Sequence, residues 1–430
     1  MTSNRSGNDA PLLAQLLALP RERVREVAWS AAFFFFVMAS YFVLQPLRDT
    51  LARRQQDDLS RLVMVTAGAM LVAQLTFSAV ASRVSRKRLV PIAFRSFQWI
   101  LAGFATLFLV SDPFDFGATA TFYVFVNVFN LFALSLFWIA QVDAWSEADA
   151  RRVFGIVALG GTVAGIVGPQ VSKWLYASLD VPIGGVVLLS VVLLEVAQWA
   201  ARRGKSAADA STKPASDGNV GKEALEGIVA TARSPYLLGI AGYLLLYSFT
   251  STFLWFGKQH FSHIVYGDDD KAAAQFFANL RSISEGVTLA LQLFVAGRFM
   301  NRFGVGIALC AVPVFTFAGF SSVWIAPTLQ SLAIFEVGRQ ALQYAISRPA
   351  KEVLFTVVSR AEKSKAKAFI DTVVYRLGDA MAAGVKEHTS AEKGLFVPIP
   401  AAVVWTVVAL VLGRAQAKRA AAEASTAASK

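Results

Sequence analysis

The chain has 430 residues, of which 55% are hydrophobic and only 16% are charged, and 34 of them are Phe. A soluble domain carries roughly 25% charged residues, so this composition is typical of a membrane protein. The single cysteine, Cys310, excludes an intramolecular disulfide and a cysteine-based metal cage, and a total of three His argues against a histidine-rich metal site. Basic cytoplasmic loops explain the net charge of +12, which therefore does not require a nucleic-acid partner.

Apolar residues cluster in blocks of about 20, the length that crosses a bilayer core of roughly 30 Å. The first block, Ala28 to Leu47, is too long for a signal peptide and lacks a small-residue cleavage site, so it is predicted to be a permanent span. Before it, Leu12 to Leu19 is expected to form a short amphipathic helix on the membrane surface. The twelve predicted spans are 28–47, 62–82, 89–110, 117–142, 154–177, 181–200, 236–257, 273–297, 305–325, 328–350, 367–385 and 395–413.

The spans fall into two groups of six. Residues 201–235 separate the groups and have the composition of a solvated linker, with Pro214 and Gly218 among Ala, Ser, Lys and Asp. Most of the 41 Lys and Arg lie before the first span, in the even-numbered loops and after the last span. The positive-inside rule then places both termini in the cytoplasm of a bacterial cell, with the chain in the inner membrane. The predicted parts are a cytoplasmic segment 1–27, a bundle 28–200, the linker 201–235, a bundle 236–413 and a cytoplasmic tail 414–430.

A short internal repeat supports two related halves. Val80-Ala-Ser-Arg83 closes the second span, and Val295-Ala-Gly-Arg298 closes the eighth, half a chain length later. Parallel six-helix repeats with a basic loop after the second helix are the pattern of major facilitator carriers. The predicted fold class is therefore all-α, a polytopic membrane protein with about twelve transmembrane helices in two six-helix bundles.

Charged and amide side chains also occur at membrane depth, where a lone charge facing lipid is costly. Arg281 and Glu285 lie four positions apart and are predicted to share a helix face. Glu336 and Arg339, three apart, form a second such pair. Two interpretations remain open. Either the pairs neutralise each other and hold the helices together, or the polar faces line an aqueous cavity that binds an anion.

Several sequence blocks resemble the ATP/ADP translocase (nucleotide transporter) family. The similar blocks are Leu47 to Thr50, Phe122 to Val124, Ser135 to Trp138, Arg152 to Gly155, Pro349 to Phe355, Glu362 to Asp371 and Val373 to Gly378. The resemblance implies a major-facilitator-like carrier that moves nucleotides or related phosphorylated solutes, by exchange or with protons. Three charged positions of the family differ here: Leu51-Ala52 stands near an expected Lys, Asn127 in place of Glu, and Asp379 in place of Lys. These departures bear on the substrate and leave the implied fold unchanged.

The leading hypothesis is a secondary active transporter of an anionic metabolite, with nucleotides as candidates. Arg side chains bind phosphate and carboxylate through two parallel hydrogen bonds, and acidic groups serve as counter-ions or proton carriers. The candidate substrate-binding residues are Arg48, Asn127, Lys173, Arg281, Arg339 and Arg376. The candidate gating or proton-coupling residues are Asp49, Glu285, Glu336, Asp371 and Asp379.

Two other functions remain open from the sequence: a proton-coupled carrier of a non-nucleotide solute, including drug export, and a membrane scaffold or sensor without transport. An enzyme is not expected, because the chain has no Walker A, HExxH or GxSxG motif. No cofactor and no metal site are predicted, and Asp268 to Asp270 is interpreted as a solvated acidic turn. The expected partners are a small anionic solute and the lipid bilayer, and the oligomeric state is left open, a monomer included.

Overall fold

The computed structural model describes residues 21–81, 83–145, 147–204, 220–389 and 394–428. The surface helix predicted at Leu12 to Leu19 and residues 205–219 of the predicted linker lie outside these residues. Within the described ranges the chain is built of helices joined by short turns. Each of the twelve predicted spans falls on one or more of these helices.

Six long helices form the first half of the chain. They are α1 (Arg21–Arg53), α2 (Leu59–Ala81), α3 (Arg86–Val110), α4 (Phe116–Ala144), α5 (Glu147–Lys173) and α6 (Ile183–Arg203). A π-helical segment, Trp174–Ser178, continues α5. Pro182 precedes α6, where its fixed backbone angle suits the start of a helix.

The second half begins with a helix that composition did not predict. α7 (Val220–Arg233) occupies the end of the segment interpreted as a linker. The helices that follow are α8 (Pro235–Tyr266), α9 (Asp270–Leu291), α10 (Gly297–Ile325), α11 (Leu329–Leu342), α12 (Arg348–Leu354), α13 (Arg360–Phe369), α14 (Tyr375–Glu387) and α15 (Pro398–Ala428). Gly304 has a φ of 76° inside α10, a backbone angle that glycine adopts readily, and it kinks that helix.

Three helices extend well past the predicted spans. α1 continues to Arg53, α8 to Tyr266 and α15 to Ala428. The hydrophobic blocks mark only the part of a helix that matches the hydrocarbon thickness, whereas helical hydrogen bonding continues into the polar region. The extension of α8 matters most, because it places Lys258 within a helix instead of an outer loop.

Nine of the described helices are long and apolar enough to cross a membrane. The helices at predicted spans 8, 10 and 11 are not among the nine, because ionisable side chains interrupt their apolar runs. Each of these polar spans contains a π-helical segment: Gln292–Ala296, Gln343–Ser347 and Ile370–Val374. Single π turns are frequent at functional sites. The polar spans are therefore where a substrate site is to be sought.

Large apolar side chains on the outside of the molecule fit a bilayer. Trp99, Val110, Ile325 and Ile334 are each 73% to 78% exposed. In water such side chains, spread over many helices, would form an aggregating surface. Lipid is the medium in which they are stable.

The chain separates into two compact units. Among the described residues, the first contains those within 21–47, 80–113 and 128–204, and the second contains those within 48–79, 114–127 and 220–428. Stacked rings form the core of the first unit, where Phe33 and Phe34 of α1 pack on Phe137 of α4. In the second unit Tyr243 of α8 packs edge-on against Trp405 of α15.

Glycines let α5 approach α1 closely in the first unit. The sequence places Gly155, Gly160, Gly161, Gly165 and Gly168 along this helix, a pattern that indicates tight packing or a helix that flexes. A Cβ on Gly160 would collide with the backbone carbonyl of Ala31 and lie 3.3 Å from the nitrogen of Phe35. A Cβ on Gly168 would lie 2.8 Å from that of Phe42. The geometry accounts for these two glycines by tight packing.

Gly160→Ala is therefore expected to destabilise the protein. The added methyl meets backbone, which cannot move aside, and overpacking of this kind costs about 1–3 kcal/mol. Gly155→Ala is the matched control on the same helix, since nothing lies within 4 Å of its Cβ position. The midpoint of thermal unfolding in detergent should fall for Gly160→Ala and stay the same or rise for Gly155→Ala. An equal effect of the two changes would contradict the packing.

Candidate substrate cavities

The second unit contains a polar cavity of about 200 Å³, here called the first cavity. Side chains from α1, α2, α4, α8 and α14 line it. The lining residues are Arg48, Val63, Thr66, Ala67, Tyr123, Asn127, Ser251, Thr252, Trp255, Tyr375, Arg376 and Asp379. Four predicted site residues, Arg48, Asn127, Arg376 and Asp379, thus meet in one place although they come from distant parts of the sequence.

Arg48 enters the first cavity from α1 and is tied to its neighbour in sequence. Its Nε and Nη2 donate to Oδ1 of Asp49 at 3.1 and 2.8 Å. Its Nη1 donates to Oδ1 of Asn127 at 3.2 Å, and the guanidinium lies 5.2 Å from the ring centre of Tyr123. Both charged side chains are nearly fully buried. Asp49 therefore balances the charge of Arg48, and Asn127 and Tyr123 fix its orientation.

A second ion pair, Arg376 with Asp379, also lines the first cavity. Arg376 donates from Nη1 to Oδ2 of Asp379 at 2.8 Å, across one turn of α14. Asp379 also accepts hydrogen bonds from the hydroxyls of Ser248 and Thr252 on α8. Gly378 permits this approach, because a Cβ there would lie 2.7 Å from the backbone oxygen of Leu245. The carboxylate thus has fixed donors, and the charge of Arg376 is balanced as well.

A second cavity, of about 170 Å³, lies beside the first and shares Ser251 and Trp255 with it. The remaining lining residues are Tyr247, Leu254, Lys258, Glu336, Arg339, Gln340 and Tyr344. The polar face predicted on span 10 therefore does face a cavity. Its partner is α8, which contributes most of the opposite wall.

Of the two interpretations left open for Glu336 and Arg339, the structure does not show the mutual pairing, although both side chains line the second cavity. Glu336 accepts a hydrogen bond from Nζ of Lys258 at 2.8 Å. Lys258, assigned to an outer loop by hydropathy, lies on α8 with its side chain 9% exposed. Sequence spacing identifies which side chains share a helix face, but the facing helix supplies the partner here. The second carboxylate oxygen of Glu336 is buried and has no partner among the described residues.

Neutral groups hold the Arg339 guanidinium. Nε donates to the hydroxyl of Thr316 at 3.0 Å, and Nη1 donates to that of Ser251 at 2.9 Å. Nη2 donates to the hydroxyl of Thr250 and to the backbone oxygen of Tyr247. The ring centre of Tyr247 lies 5.0 Å from the guanidinium carbon. Among the described residues, no carboxylate oxygen lies within 4.0 Å of Arg339, which is 5% exposed.

The two cavities together carry an excess of positive charge. Arg48, Arg376 and Lys258 each face a carboxylate at hydrogen-bonding distance. Of the four cations described in the two walls, Arg339 is the one with no carboxylate oxygen within 4.0 Å among the described residues, in a buried place where an uncompensated charge is expensive. An anion in the second cavity would supply the missing counter-charge.

Other predicted site residues do not line either cavity. Arg281 and Glu285 form the predicted pair on α9, and Gln340 donates to Glu285 at 3.2 Å. Asp371 pairs with Lys351 at 2.7 Å. Lys173 ends α5 in the first unit.

The residues that the sequence missed belong mainly to α8. Tyr247, Thr250 and Ser251 cradle Arg339, and Lys258 pairs with Glu336. A signal was present, since four hydroxyl residues fall within the five positions 248–252 of an otherwise apolar span. Hydroxyls in a membrane helix can satisfy polar groups on a neighbouring helix.

A third cavity, of about 510 Å³, is lined by Tyr266, Ala272, Gln275, Phe276, Asn279, Leu280, Ile283, Ala333, Ile334 and Val337. It has no charged residue in its wall, and Ile283 and Ile334 are also exposed on the outside. Its chemistry suits an acyl chain and does not suit a polar solute. It is therefore not the candidate site.

Comparison with known proteins identifies the fold. No protein-family model matches the sequence, and no curated protein does. Among solved structures, a variant of the nucleoside transporter NupG is similar, with 14% identity, a TM-score of 0.66, and coverage of 89% of this chain and 99% of that one. A POT family transporter in complex with 5-aminolevulinic acid has a TM-score of 0.64 at 10% identity, over 90% and 96% of the two chains.

A D-xylose–proton symporter is also similar, with a TM-score of 0.61 at 11% identity, over 91% of this chain and 97% of that chain. At such identities the likeness establishes the fold alone. It covers 89% to 91% of the chain, and the predicted fold class is confirmed. The chain is an all-α, multi-pass membrane protein with the fold of the major facilitator transporters.

Proposed function

We propose that the protein is a secondary active transporter of an anionic solute that works by alternating access. The observation that carries the proposal is Arg339, a buried guanidinium with no carboxylate oxygen within 4.0 Å in the part of the chain that the structure describes. Three hydroxyls and one carbonyl fix the plane of this group without neutralising it. One N–H, on Nη1, is left to donate a charge-assisted hydrogen bond to a phosphate or carboxylate.

The shape of the site supports a two-part solute. Ser251 and Trp255 border both cavities, so a ligand could place its anionic group against Arg339 and its remainder in the first cavity. Tyr123 and Trp255 lie with their ring centres 5.5 Å apart at the wall of the first cavity. Aromatic faces of this kind bind planar groups such as a nucleobase.

A nucleotide is accordingly the finer proposal for the substrate. The blocks that resemble the nucleotide transporter family include Arg48, Tyr123 and Arg376, which all line the first cavity. The nucleoside transporter among the fold neighbours is compatible with this class, although it is named for the uncharged form. Exchange and proton coupling both fit the proposal.

A proton-coupled carrier of a smaller, non-nucleotide anion is the second candidate. Binding pockets for drug-sized ligands typically measure about 300–1,000 Å³, whereas the first cavity holds about 200 Å³. The carboxylates of Glu336 and Asp379 could take up protons as the substrate displaces their partners. Both candidates share the anionic group and therefore the role of Arg339.

The location is proposed with the function. The charge pattern supports both termini in the cytoplasm, and a bacterial inner membrane is proposed with this orientation. The internal repeat supports the two bundles at 28–200 and 236–413 as the parts that would move against each other.

A binding screen tests the proposal. The purified protein is heated with inorganic phosphate, AMP, ATP or succinate, and in parallel with uncharged adenosine or xylose. A ligand stabilises the folded state in proportion to the logarithm of its concentration over its dissociation constant, so weak binders also register. At least one anion should raise the unfolding midpoint of the parent and not that of Arg339→Gln. Stabilisation by the uncharged compounds alone would refute the anionic class.

A further inference from the structure

The end of α1 beyond the first cavity is fastened to the turn between α8 and α9. Arg53, whose side chain is fully buried, donates from Nη1 to the backbone oxygen of Gly267 at 2.7 Å and pairs through Nη2 with Asp270. Arg54 binds Asp270 with two nitrogens, at 2.9 and 2.8 Å. Arg54 also reaches the side chain and the backbone oxygen of Asp268. These four charged residues are here called the latch.

The α8–α9 turn is built to receive the two arginines. Gly267 has a φ of 48°, which reverses the chain after α8 and turns its carbonyl toward Arg53. Asp269 caps α9 by accepting from the nitrogen of Ala272, so it does not compete for the arginines. Asp270 begins α9 with its side chain only 12% exposed. The interpretation of Asp268 to Asp270 as a solvated turn is therefore wrong for Asp270.

An apolar layer lies between the latch and the first cavity. Along α1 the order is Arg48 at the cavity, then buried Ala52, then the latch at Arg53. On α2, Val63 lines the cavity, Leu62 directly precedes it, and Leu59 packs one turn nearer the helix start. Trp255 of α8 contacts both apolar clusters of this layer.

We propose that the latch and this apolar layer form the outer gate of the transport path, and that the structure is the outward-closed state. The proposal rests on the function and the orientation proposed above, since cytoplasmic termini place this end of α1 outside. For a solute to reach the first cavity from outside, the latch pairs must separate and the layer must part. The latch then acts as a bistable element whose breakage favours the outward-open state.

The ion pairs of the latch do not contribute equally to its stability. The Arg53–Asp270 pair is buried, so its loss leaves a poorly solvated charge. Arg54 and Asp268 are 26% and 95% exposed, and an exposed pair contributes little. Hydrogen bonding to Asp270 raises the pKa of Arg54 above its ordinary value. Arg53 and Asp270 should therefore be the decisive residues.

Thiol labelling tests the gate without any substrate. Ala67→Cys, introduced with Cys310→Ala, places a single thiol in the wall of the first cavity. Right-side-out vesicles are treated with a membrane-impermeant maleimide, and the labelling rate is compared with and without Arg53→Gln. The parent should label slowly, and Arg53→Gln should label about tenfold faster, because a minor open state of a few per cent becomes a major one. Asp270→Asn, which keeps the side-chain shape, should do the same.

Arg61→Gln is the matched control. Arg61 lies near the same end of the molecule and pairs with Asp58 at 2.8 Å, but the pair is exposed and lies within one turn. It should leave the labelling rate unchanged. Unchanged labelling in both Arg53→Gln and Asp270→Asn, with each protein folded by its melting profile, would overturn the gate. An equal rise in the labelling rate of Arg61→Gln would also overturn the gate. A rise found only in inside-out vesicles would overturn the outer assignment of the gate and the proposed orientation while leaving the proposed substrate class intact.

Discussion

Arg339→Gln is expected to lower affinity for the transported anion at least about 30-fold, since removing one partner of a buried charge pair costs 2 kcal/mol or more. The change should abolish transport at low substrate concentration. It should not unfold the protein. Thr250 and Ser251 also donate to the backbone oxygens of Leu246 and Tyr247, so their hydroxyls stay satisfied after the guanidinium is gone.

Arg339→Lys should restore binding poorly. The structure shows four hydrogen bonds from three nitrogens of one planar group, and a single ammonium cannot occupy these positions together. Arg95→Gln is the matched control, because Arg95 pairs with Glu195 on a half-exposed face in the first unit. It should bind the anion like the parent. Normal binding by Arg339→Gln would show that the guanidinium only fastens α11 to α8.

Lys258→Met is expected to destabilise the protein by about 3–5 kcal/mol, the usual effect of removing one member of a buried ion pair. Glu336 would keep a charge with no partner at membrane depth or take up a proton to avoid it. The double change Lys258→Met with Glu336→Gln removes both charges and should recover most of the stability. Unfolding midpoints of the two single variants and the double variant measure this coupling.

The same variants separate structure from transport. If Lys258 only neutralises Glu336, the double variant should bind the anion as the parent does. If Lys258 also contacts the substrate, the double variant should be stable and still bind weakly. A single Lys258→Met variant as stable as the parent would contradict the buried pair seen at 2.8 Å.

Hydropathy and charge spacing predicted much of the fold. Blocks of about 20 apolar residues placed every span on a helix, because bilayer thickness fixes that length. Hydropathy did not predict where the helices end. The window for the seventh span stopped before Lys258, whereas α8 continues to Tyr266 and carries that lysine into the second cavity. The side chain of Lys258 stays buried because the carboxylate of Glu336 neutralises its ammonium group.

The candidate site was predictable as a set of residues but not as a set of pairs. Rarity of charge at membrane depth pointed to Arg48, Arg339, Arg376 and Asp379, all of which line a cavity. The partner of Glu336 and the hydroxyl cradle of Arg339 depend on α8, which no sequence spacing connects to α11. The sequence did not predict the latch for the same reason, since Arg53 and Asp270 are far apart in the chain.

Uptake into liposomes tests the central claim most directly. The purified protein is reconstituted, and the entry of radiolabelled ATP, AMP, phosphate and succinate is compared with that of adenosine and xylose, in the parent and in Arg339→Gln. The anionic class predicts that at least one anion enters through the parent, that Arg339→Gln prevents this entry, and that the uncharged compounds stay outside. Entry of adenosine or xylose that does not depend on Arg339, with none of the anions entering, would contradict it.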